Sequence, residues 1–196
     1  MIKLIPILFE SLNEDFNIDG NQLTIKKPFD EIKSFDINGH EVYALFGDVD
    51  YYDNRESILA IKGKSDTLEL NGQSYMSFLS ELRKRFYSIQ KLRRSDVLVS
   101  IETSSNINDD IISVIGKTSI KDGFKKNDPQ FKIRGVEKSE RLNLKNVFNV
   151  GFDMSPDQII CIVDDFITTG SSFRNAFEIL PENVKSVGVC LFRLKS

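Results

Sequence analysis

The sequence predicts an α/β protein with a central, mainly parallel sheet flanked by helices and a β-rich segment at its N-terminal end. The first observation is the run Ile159 to Val163, which is short, continuous and rich in β-branched residues, as is typical of a strand buried on both faces of a parallel sheet. The second is a set of four apolar residues at i, i+3, i+4 and i+7, which share one helical face: Phe173, Ala176, Phe177 and Leu180. Strand, loop and helix form the unit from which such sheets are built.

The N-terminal third is predicted to be rich in β-structure. The stretches FNIDGNQLTI (16–25) and FDINGHEVYALF (35–46) each place Asp-Gly or Asn-Gly between short runs of β-branched or aromatic residues, which is a strong hairpin signal. His40 directly follows the second turn, so we expect an exposed turn residue and not a catalytic or metal-binding histidine. We therefore divide the chain into a β-rich N-terminal segment or hood, 1–56, and an α/β domain, 57–196.

Three more elements are predicted in the middle of the chain. An amphipathic helix extends from Gln73 to about Leu92, because apolar residues recur there at alternating steps of four and three. Asp96 to Ile101 resembles a second buried strand, and a helical pattern covers Ile107 to about Ile115. Between the strand and the helix lies a polar loop: Glu102, Thr103, Ser104, Ser105 and Asn106.

A highly polar stretch from Lys117 to about Leu144 is predicted to be a long loop. Nine lysines and arginines occur between Lys117 and Lys145, and Pro129 interrupts the stretch. Long loops inside compact domains are usually either functional or disordered.

Composition and charge set the broad class. The 196 residues, of which 40% are hydrophobic and 28% charged, suit one globular domain with an ample core. Residues 1–56 carry 12 acids and 5 bases, whereas the remainder carries 17 acids and 21 bases, so the basic part is the part that would attract a polyanion. We expect no membrane span or signal peptide, hence a cytoplasmic protein, and we interpret Cys161 and Cys190 as buried strand residues and not as a disulfide or metal framework.

The chemistry is predicted to lie directly after the strand that ends at Val163. Asp164 and Asp165 stand at its carboxyl end, the edge where open α/β sheets bind ligands, and carboxylates accept hydrogen bonds from vicinal hydroxyls such as those of a ribose. A run of small residues then offers hydroxyls and backbone N–H groups at a helix N-terminus, which favours phosphate: Thr168, Thr169, Gly170, Ser171 and Ser172. Together these groups suit a ribose 5-phosphate.

Other readings of the same residues are weaker. A pair of aspartates after a strand is most often a solvated turn or a helix cap. The paired acids of a receiver domain close the first strand of the domain, whereas only 31 residues follow Asp165 here. Gly116-Lys117-Thr118 ends like a phosphate-binding P-loop, but Ile111 occupies the position of its first glycine.

The stretch VDDFITTGSS (163–172) closely resembles the motif with which type I phosphoribosyltransferases bind phosphoribosyl pyrophosphate (PRPP). The resemblance implies that Asp164 and Asp165 hold the ribose hydroxyls and act in catalysis, and that 168–172 cradles the 5-phosphate. It implies Mg²⁺ bound through PRPP and not directly by the protein. It also implies that Glu102, Thr103, Ser104 and Ser105 form the pyrophosphate loop.

The same resemblance implies a flexible lid that closes over PRPP. Its candidates to reach pyrophosphate oxygens are the basic residues Lys125, Lys126, Lys132, Arg134 and Arg141. Thr168 stands where 6-oxopurine enzymes carry an aspartate, so a hypoxanthine or guanine acceptor is disfavoured.

The order of features from about residue 50 onwards resembles the competence protein F (ComF) branch in particular. The leading expectation is a phosphoribosyltransferase of nucleotide metabolism that transfers ribosyl 5-phosphate to an unidentified nitrogen nucleophile and releases pyrophosphate. The alternative is an inactive PRPP or nucleotide sensor, or a DNA-handling partner protein whose basic helix, 81–94, follows single-stranded nucleic acid. We also expect a homo-oligomer.

Overall fold

A computed structural model of the chain describes residues 31–52, 55, 58, 72–103, 107–128, 130, 135–137 and 139–195, with the backbone alone at 72–79 and at 142. The predicted hairpin at 16–25 and four predicted site residues lie outside these ranges: Ser104, Ser105, Lys132 and Arg134.

The described residues form ten strands and four α-helices, with one 3-10 helix at Arg141–Asn143. The strands are β1 (Lys33–Ile37), β2 (His40–Ala44), β3 (Asp48–Asp50), β4 (Val97–Ile101), β5 (Ser119–Lys126), β6 (Phe148–Val150), β7 (Ile159–Val163), β8 (Phe166–Ile167), β9 (Lys185–Cys190) and β10 (Phe192–Lys195). The helices are α1 (Gly72–Ser88), α2 (Gln90–Arg93), α3 (Ile107–Ile115) and α4 (Ser171–Glu178).

The main sheet has seven strands in the order β1-β2-β9-β7-β4-β5-β6. Its five inner strands run parallel to one another, and the two edge strands, β1 and β6, are antiparallel to their neighbours. The protein is therefore an α/β structure with a mixed, mostly parallel central sheet, which confirms the predicted class.

Helices cover both faces of this sheet, because its inner strands are apolar on both sides. Cys161 and Val163 of β7 pack into the cluster that contains α1 and α3, whereas Ile160 and Ile162 pack into the cluster that contains Phe173 of α4. The predicted buried strand and the predicted apolar face of α4 are both confirmed. Cys161 and Cys190 are buried free thiols, as expected.

The strand order changes direction between β4 and β7. From β4 the chain passes through α3 to β5 on one side, and from β7 it passes through α4 to β9 on the other side. Residues of α3 and of α4 pack into different core clusters, so the two helices lie on opposite faces, and at such a point open α/β sheets are expected to form a crevice, here between the carboxyl ends of β4 and β7. Ser100 is the register partner of Val163, so Ile101 and Asp164 leave the sheet at the same level.

A second sheet of three strands has the order β3-β10-β8, and its pairs are parallel. Each of its strands continues a strand of the main sheet, β2 into β3, β9 into β10 and β7 into β8, in the same lateral order. The two sheets thus share one bent three-stranded ribbon. Backbone bonds cross the bend, such as Leu191 N–H to Asp165 O at 2.9 Å and Phe46 N–H to Leu191 O at 2.9 Å.

The hairpin predicted at 35–46 is confirmed, with its turn at Asn38 and Gly39, which have φ of 54° and 81°. The expectation for His40 is wrong. His40 begins β2, is half-buried, stacks on the Phe177 ring at 4.2 Å and shares a 2.9 Å hydrogen bond between Nδ1 and Ser186 Oγ. The described part of the N-terminal segment is hydrogen-bonded to the C-terminal strands, since β2 pairs with β9 and β3 with β10.

Two further boundaries differ from the prediction. The helix predicted from Gln73 to Leu92 breaks at Ile89, whose ψ of 116° is extended, so that α1 and α2 are separate. The loop predicted from Lys117 is wrong over Ser119–Lys126, which is strand β5. Only Gly123 and Phe124 of β5 are buried, so the strand carries little of the apolar pattern that identifies one in a sequence. None of the helices in the described part of the chain is long and apolar enough to cross a membrane.

Candidate ligand-binding site

The acidic pair sits at the bend between the two sheets. Asp164 and Asp165 are 6% and 5% exposed, and both backbones are tied to the neighbouring strand: Asp164 N–H donates to Val189 O, and Asp165 O accepts from Leu191 N–H. One oxygen of each carboxylate accepts the N–H of the following residue, at 2.9 Å for Asp164 and 2.7 Å for Asp165. The main-chain positions of both acids are therefore fixed by the ribbon.

The peptide plane shows on which side the Asp165 carboxylate lies. Asp165 O points to β10, so the N–H of Phe166, on the opposite side of the same planar peptide, points to the open edge of β8. The Asp165 carboxylate accepts that N–H and therefore lies along the open edge. This edge lies on the side of β7 that pairs with β4, and among the described residues no strand of the small sheet continues β4.

The hydroxyl loop turns sharply into α4. Gly170 precedes the helix with a φ of 80°, and a Cβ at this position would lie 2.9 Å from Ile37 Cδ1. Gly170 is the N-cap residue and has no side chain that could cap α4, and the N–H groups of a helix's first turn point out along the axis, where an anion would bind. Asn175 is buried and donates to Ser171 O at 3.0 Å, which braces this first turn.

The hydroxyls of the loop differ in their access to solvent. Thr168 is exposed, Thr169 and Ser172 are half-buried, and Ser171 is 2% exposed. The Oγ1 of Thr169 and the Oγ of Ser171 share a 2.5 Å hydrogen bond. The hydroxyl loop therefore leads from the two carboxylates directly into the first turn of α4.

The end of β4 forms the other wall of the crevice. Glu102 N–H donates to Phe124 O at 2.9 Å, and its carboxylate accepts the Lys126 N–H at 2.7 Å, so Glu102 continues the β4–β5 pairing by one residue. Thr103 is half-buried. The carboxylate of Glu102 thus places negative charge at the position predicted for a pyrophosphate loop.

Three of the predicted basic residues are described. Lys125 and Lys126 lie in β5, Lys125 exposed and Lys126 half-buried, and neither belongs to a loop. Arg141 begins the 3-10 helix, and its Nε donates to Val136 O at 2.8 Å. A contact of any of these residues with pyrophosphate stays a prediction.

Two buried polar residues near the end of β4 were not predicted as functional. Ser100 Oγ accepts the N–H of Asp122, a residue with a φ of 48° in a bulge of β5. Asn108 is 3% exposed and donates from Nδ2 to Ile101 O at 3.0 Å. Nothing in the helical stretch INDDIISVI separates Asn108 from the two aspartates that follow it.

The cysteine nearest the acids is not a nucleophile. Burial, and then the negative charges of Asp164 and Asp165, raise the pKa of the Cys190 thiol well above its ordinary value. The thiol is therefore protonated at neutral pH and supplies no thiolate.

Much of the basic helix predicted as a nucleic-acid surface is engaged within the protein. Arg85 is 16% exposed, donates to Leu45 O at 3.0 Å and pairs with Glu81. Lys91 pairs with Glu41 at 2.5 Å. Lys84 lies 3.8 Å from the carboxylate of Glu81 but is 74% exposed, and Arg93 and Arg94 are exposed as well.

No protein-family model matches the chain, and a comparison with curated proteins finds no match.

Proposed function

We propose that the protein has the type I phosphoribosyltransferase fold, with its ComF-like branch as the nearest resemblance, and that it binds PRPP at the crevice between β4 and β7. One observation carries the proposal: the acidic pair and the hydroxyl loop occupy the carboxyl end of β7 at the point where the strand order changes direction. Open α/β sheets bind ligands at such points.

Each part of the site matches one part of the ligand. Asp164 and Asp165 hold the ribose, because carboxylate oxygens are good hydrogen-bond acceptors for its hydroxyls. The first turn of α4 and the hydroxyls of Thr168, Thr169 and Ser172 bind the 5-phosphate. The pyrophosphate on the anomeric carbon then extends towards the end of β4.

Magnesium fits this site as a companion of the ligand. The described residues contain no group of three or more His, Cys, Asp or Glu side chains that could hold a metal ion. Mg²⁺ keeps much of its water shell and binds substrate phosphates, so PRPP would hold the ion while Asp164 and Asp165 hold the ribose. When bound, the ion neutralises charge that develops on the leaving pyrophosphate.

The proposed reaction is transfer of the ribosyl 5-phosphate with inversion. A nitrogen lone pair forms a bond to the anomeric carbon while the bond from that carbon to pyrophosphate oxygen breaks, and the electron pair leaves with pyrophosphate. The nitrogen gives its proton to solvent. Asp164 and Asp165 stabilise the positive charge that develops on the ribose, since their positions are fixed before the ligand arrives.

Calorimetric titration tests the proposal. PRPP is titrated with and without Mg²⁺ into the wild-type protein, into Asp164→Asn/Asp165→Asn and into Asp157→Asn as the control, since Asp157 lies in an exposed turn away from the crevice. We expect magnesium-dependent binding that the double variant weakens by roughly 10- to 100-fold, the range for lost hydrogen bonds to charged groups.

The proposal is wrong if the wild-type protein binds no PRPP, or if both variants bind it equally well. Binding in the wild type then justifies a screen of amine and base acceptors by release of pyrophosphate, which distinguishes a transferase from a binding protein.

A second function, binding of PRPP or a nucleotide without transfer, is favoured by Glu102. A carboxylate at the end of β4 repels the pyrophosphate that a transferase must hold there. Magnesium-dependent PRPP binding with no pyrophosphate release for any acceptor would support this sensor function.

DNA handling is a third possibility. It rests on three exposed basic side chains of the helical segment, Lys84, Arg93 and Arg94. Replacement of all three by glutamine would abolish salt-sensitive binding of single-stranded DNA if they form the contact surface. Replacement of Arg83 and Lys91, whose side chains bond to Val114 O and Glu41, is the matched control.

A further inference from the structure

The amide of Asn108 lies between the ends of β4 and β7. Glu102 N–H points to β5, where it donates to Phe124 O, so the carbonyl of Ile101 in the same peptide points the opposite way, towards β7. Asn108 Nδ2 donates to that carbonyl at 3.0 Å. The side chain therefore reaches from the first turn of α3 into the floor of the crevice, next to the strand end that carries Asp164.

The hydrogen bond to Ile101 O shows which atom of the Asn108 amide is the donor and which is the acceptor. Because a carbonyl accepts only from the NH₂ group, Oδ1 is the atom that remains for another partner. Among the described residues, Oδ1 has no hydrogen-bond partner, although Asn108 is 3% exposed. A buried acceptor without a donor costs free energy, which a donor on a ligand removes.

The proposed orientation of the ligand identifies this donor. With the 5-phosphate at the first turn of α4 and the ribose above Asp164 and Asp165, the anomeric side of the sugar is directed at the end of β4. The hydroxyl next to the anomeric carbon is the 2-hydroxyl. An acceptor on the floor between β4 and β7 lies on the side of this hydroxyl.

We propose that Asn108 Oδ1 accepts the single hydrogen of the 2-hydroxyl of the bound sugar, which leaves the 3-hydroxyl to the acidic pair, and that it makes the site selective for ribose over 2-deoxyribose. This inference rests on the proposed function. It adds a binding residue outside the acidic pair and the hydroxyl loop, and it assigns a ligand class, phosphorylated ribosides with a free 2-hydroxyl.

Two variants with the shape of asparagine separate the role of Oδ1 from that of Nδ2. Asn108→Leu and Asn108→Asp both lose the donor to Ile101 O, so both lose whatever that bond contributes to the fold. Asn108→Asp keeps an acceptor, whereas Asn108→Leu does not. Asn108→Ala repeats the loss of the acceptor if the leucine variant does not fold, and thermal unfolding of each variant reports the structural cost.

The experiment measures the affinity of ribose 5-phosphate and of 2-deoxyribose 5-phosphate for each protein. We expect Asn108→Leu to lose about ten-fold in affinity for ribose 5-phosphate and none for the deoxy sugar, which is the effect of one hydrogen bond. We expect Asn108→Asp to keep the wild-type ratio of the two affinities. A ratio that is the same in all three proteins overturns the role of Asn108 and leaves the proposed function standing. Failure of the wild-type protein to bind ribose 5-phosphate or PRPP overturns both.

Discussion

Asp165 and Leu191 lie side by side at the bend of the ribbon, where the carbonyl oxygen of Asp165 accepts the N–H of Leu191 at 2.9 Å. The backbone of the acid is thus held by its strand neighbour, while its carboxylate holds the N–H of Phe166 at the open edge. A ligand bound at this edge would meet a carboxylate whose position is already set, so binding would require little ordering.

Glu102→Gln is expected to increase affinity for PRPP about three- to ten-fold. Glutamine keeps an oxygen that can accept the Lys126 N–H, but it removes the negative charge next to the pyrophosphate. Titration of PRPP at low and high salt measures the effect, and the gain is expected to shrink in 1 M salt, where the Debye length is about 3 Å.

The control for this change is Glu182→Gln, in the exposed turn before β9 at the other end of the sheet, which we expect to leave the affinity unchanged. An unchanged affinity for Glu102→Gln as well would mean that pyrophosphate does not lie at the end of β4.

Gly170→Ala is expected to destabilise the protein more than Gly39→Ala. Both glycines have φ near 80°, but a Cβ at Gly39 meets no atom within 4 Å, whereas one at Gly170 lies 2.9 Å from Ile37 Cδ1. Conformational strain alone costs about 1 kcal/mol, and a close contact in a packed site adds roughly 1–3 kcal/mol. Denaturant unfolding of the two variants measures the difference, and equal losses would show that the Ile37 contact relaxes freely.

Asp122→Asn is expected to stabilise the protein at neutral pH. Partial burial, and then the carboxylates of Asp109 and Glu102, raise the pKa of Asp122 above its ordinary value of 3.8. The folded state therefore holds extra protons just above that pH, and the free energy of unfolding falls as pH rises through this window. The side chain of the variant cannot ionise, so its free energy of unfolding does not decrease in this way.

Unfolding of Asp122→Asn and wild type at pH 3 and at pH 7 checks the effect, since any influence of asparagine on the backbone, where φ is 48°, is common to both pH values. Asp157→Asn is the control at an exposed turn. A gain of the same size at both pH values would show that charge is not the cause.

Arg85→Met is expected to cost about 1–3 kcal/mol of stability, the range for a lost hydrogen bond to a charged group. Arg85 donates to Leu45 O at 3.0 Å where β2 leaves the main sheet, and its guanidinium lies 5.0 Å from the centre of the Phe46 ring. Lys84→Met, on the same helix but 74% exposed, should change stability by less than about 0.5 kcal/mol. Thermal unfolding decides between them, and a similar small shift for both would mean that Arg85 does not brace the bend.

The elements that the sequence predicts well are those whose own pattern is periodic. Short windows of sequence are enough to predict strand β7 and the apolar face of α4. The acids and hydroxyls lie between these two elements in the chain, so their place at the end of the strand is predicted as well. Strand β5 is not predicted, because its lysine-rich sequence lacks a strand pattern and its extended structure depends on pairing with β4. His40 contacts Phe177 and Ser186, which are far away in sequence, so its burial does not follow from its own neighbours in the chain.

Asn108 shows the same limit within the site. Its position in a helix is predictable, but the direction of its amide depends on the peptide of Ile101, which only the β4–β5 pairing orients. The bent ribbon is likewise invisible in the sequence, because β8 has two residues and no periodicity of its own.

The bent ribbon also constrains the order of events during synthesis. Strand β2 has β1 on one side and β9 on the other, and β3 pairs with β10. Strands β2 and β3 therefore cannot pair with β9 and β10 until the residues near position 190 have left the ribosome. Contacts so distant in sequence form late and slowly, so the acids at the bend gain their final support at the close of folding.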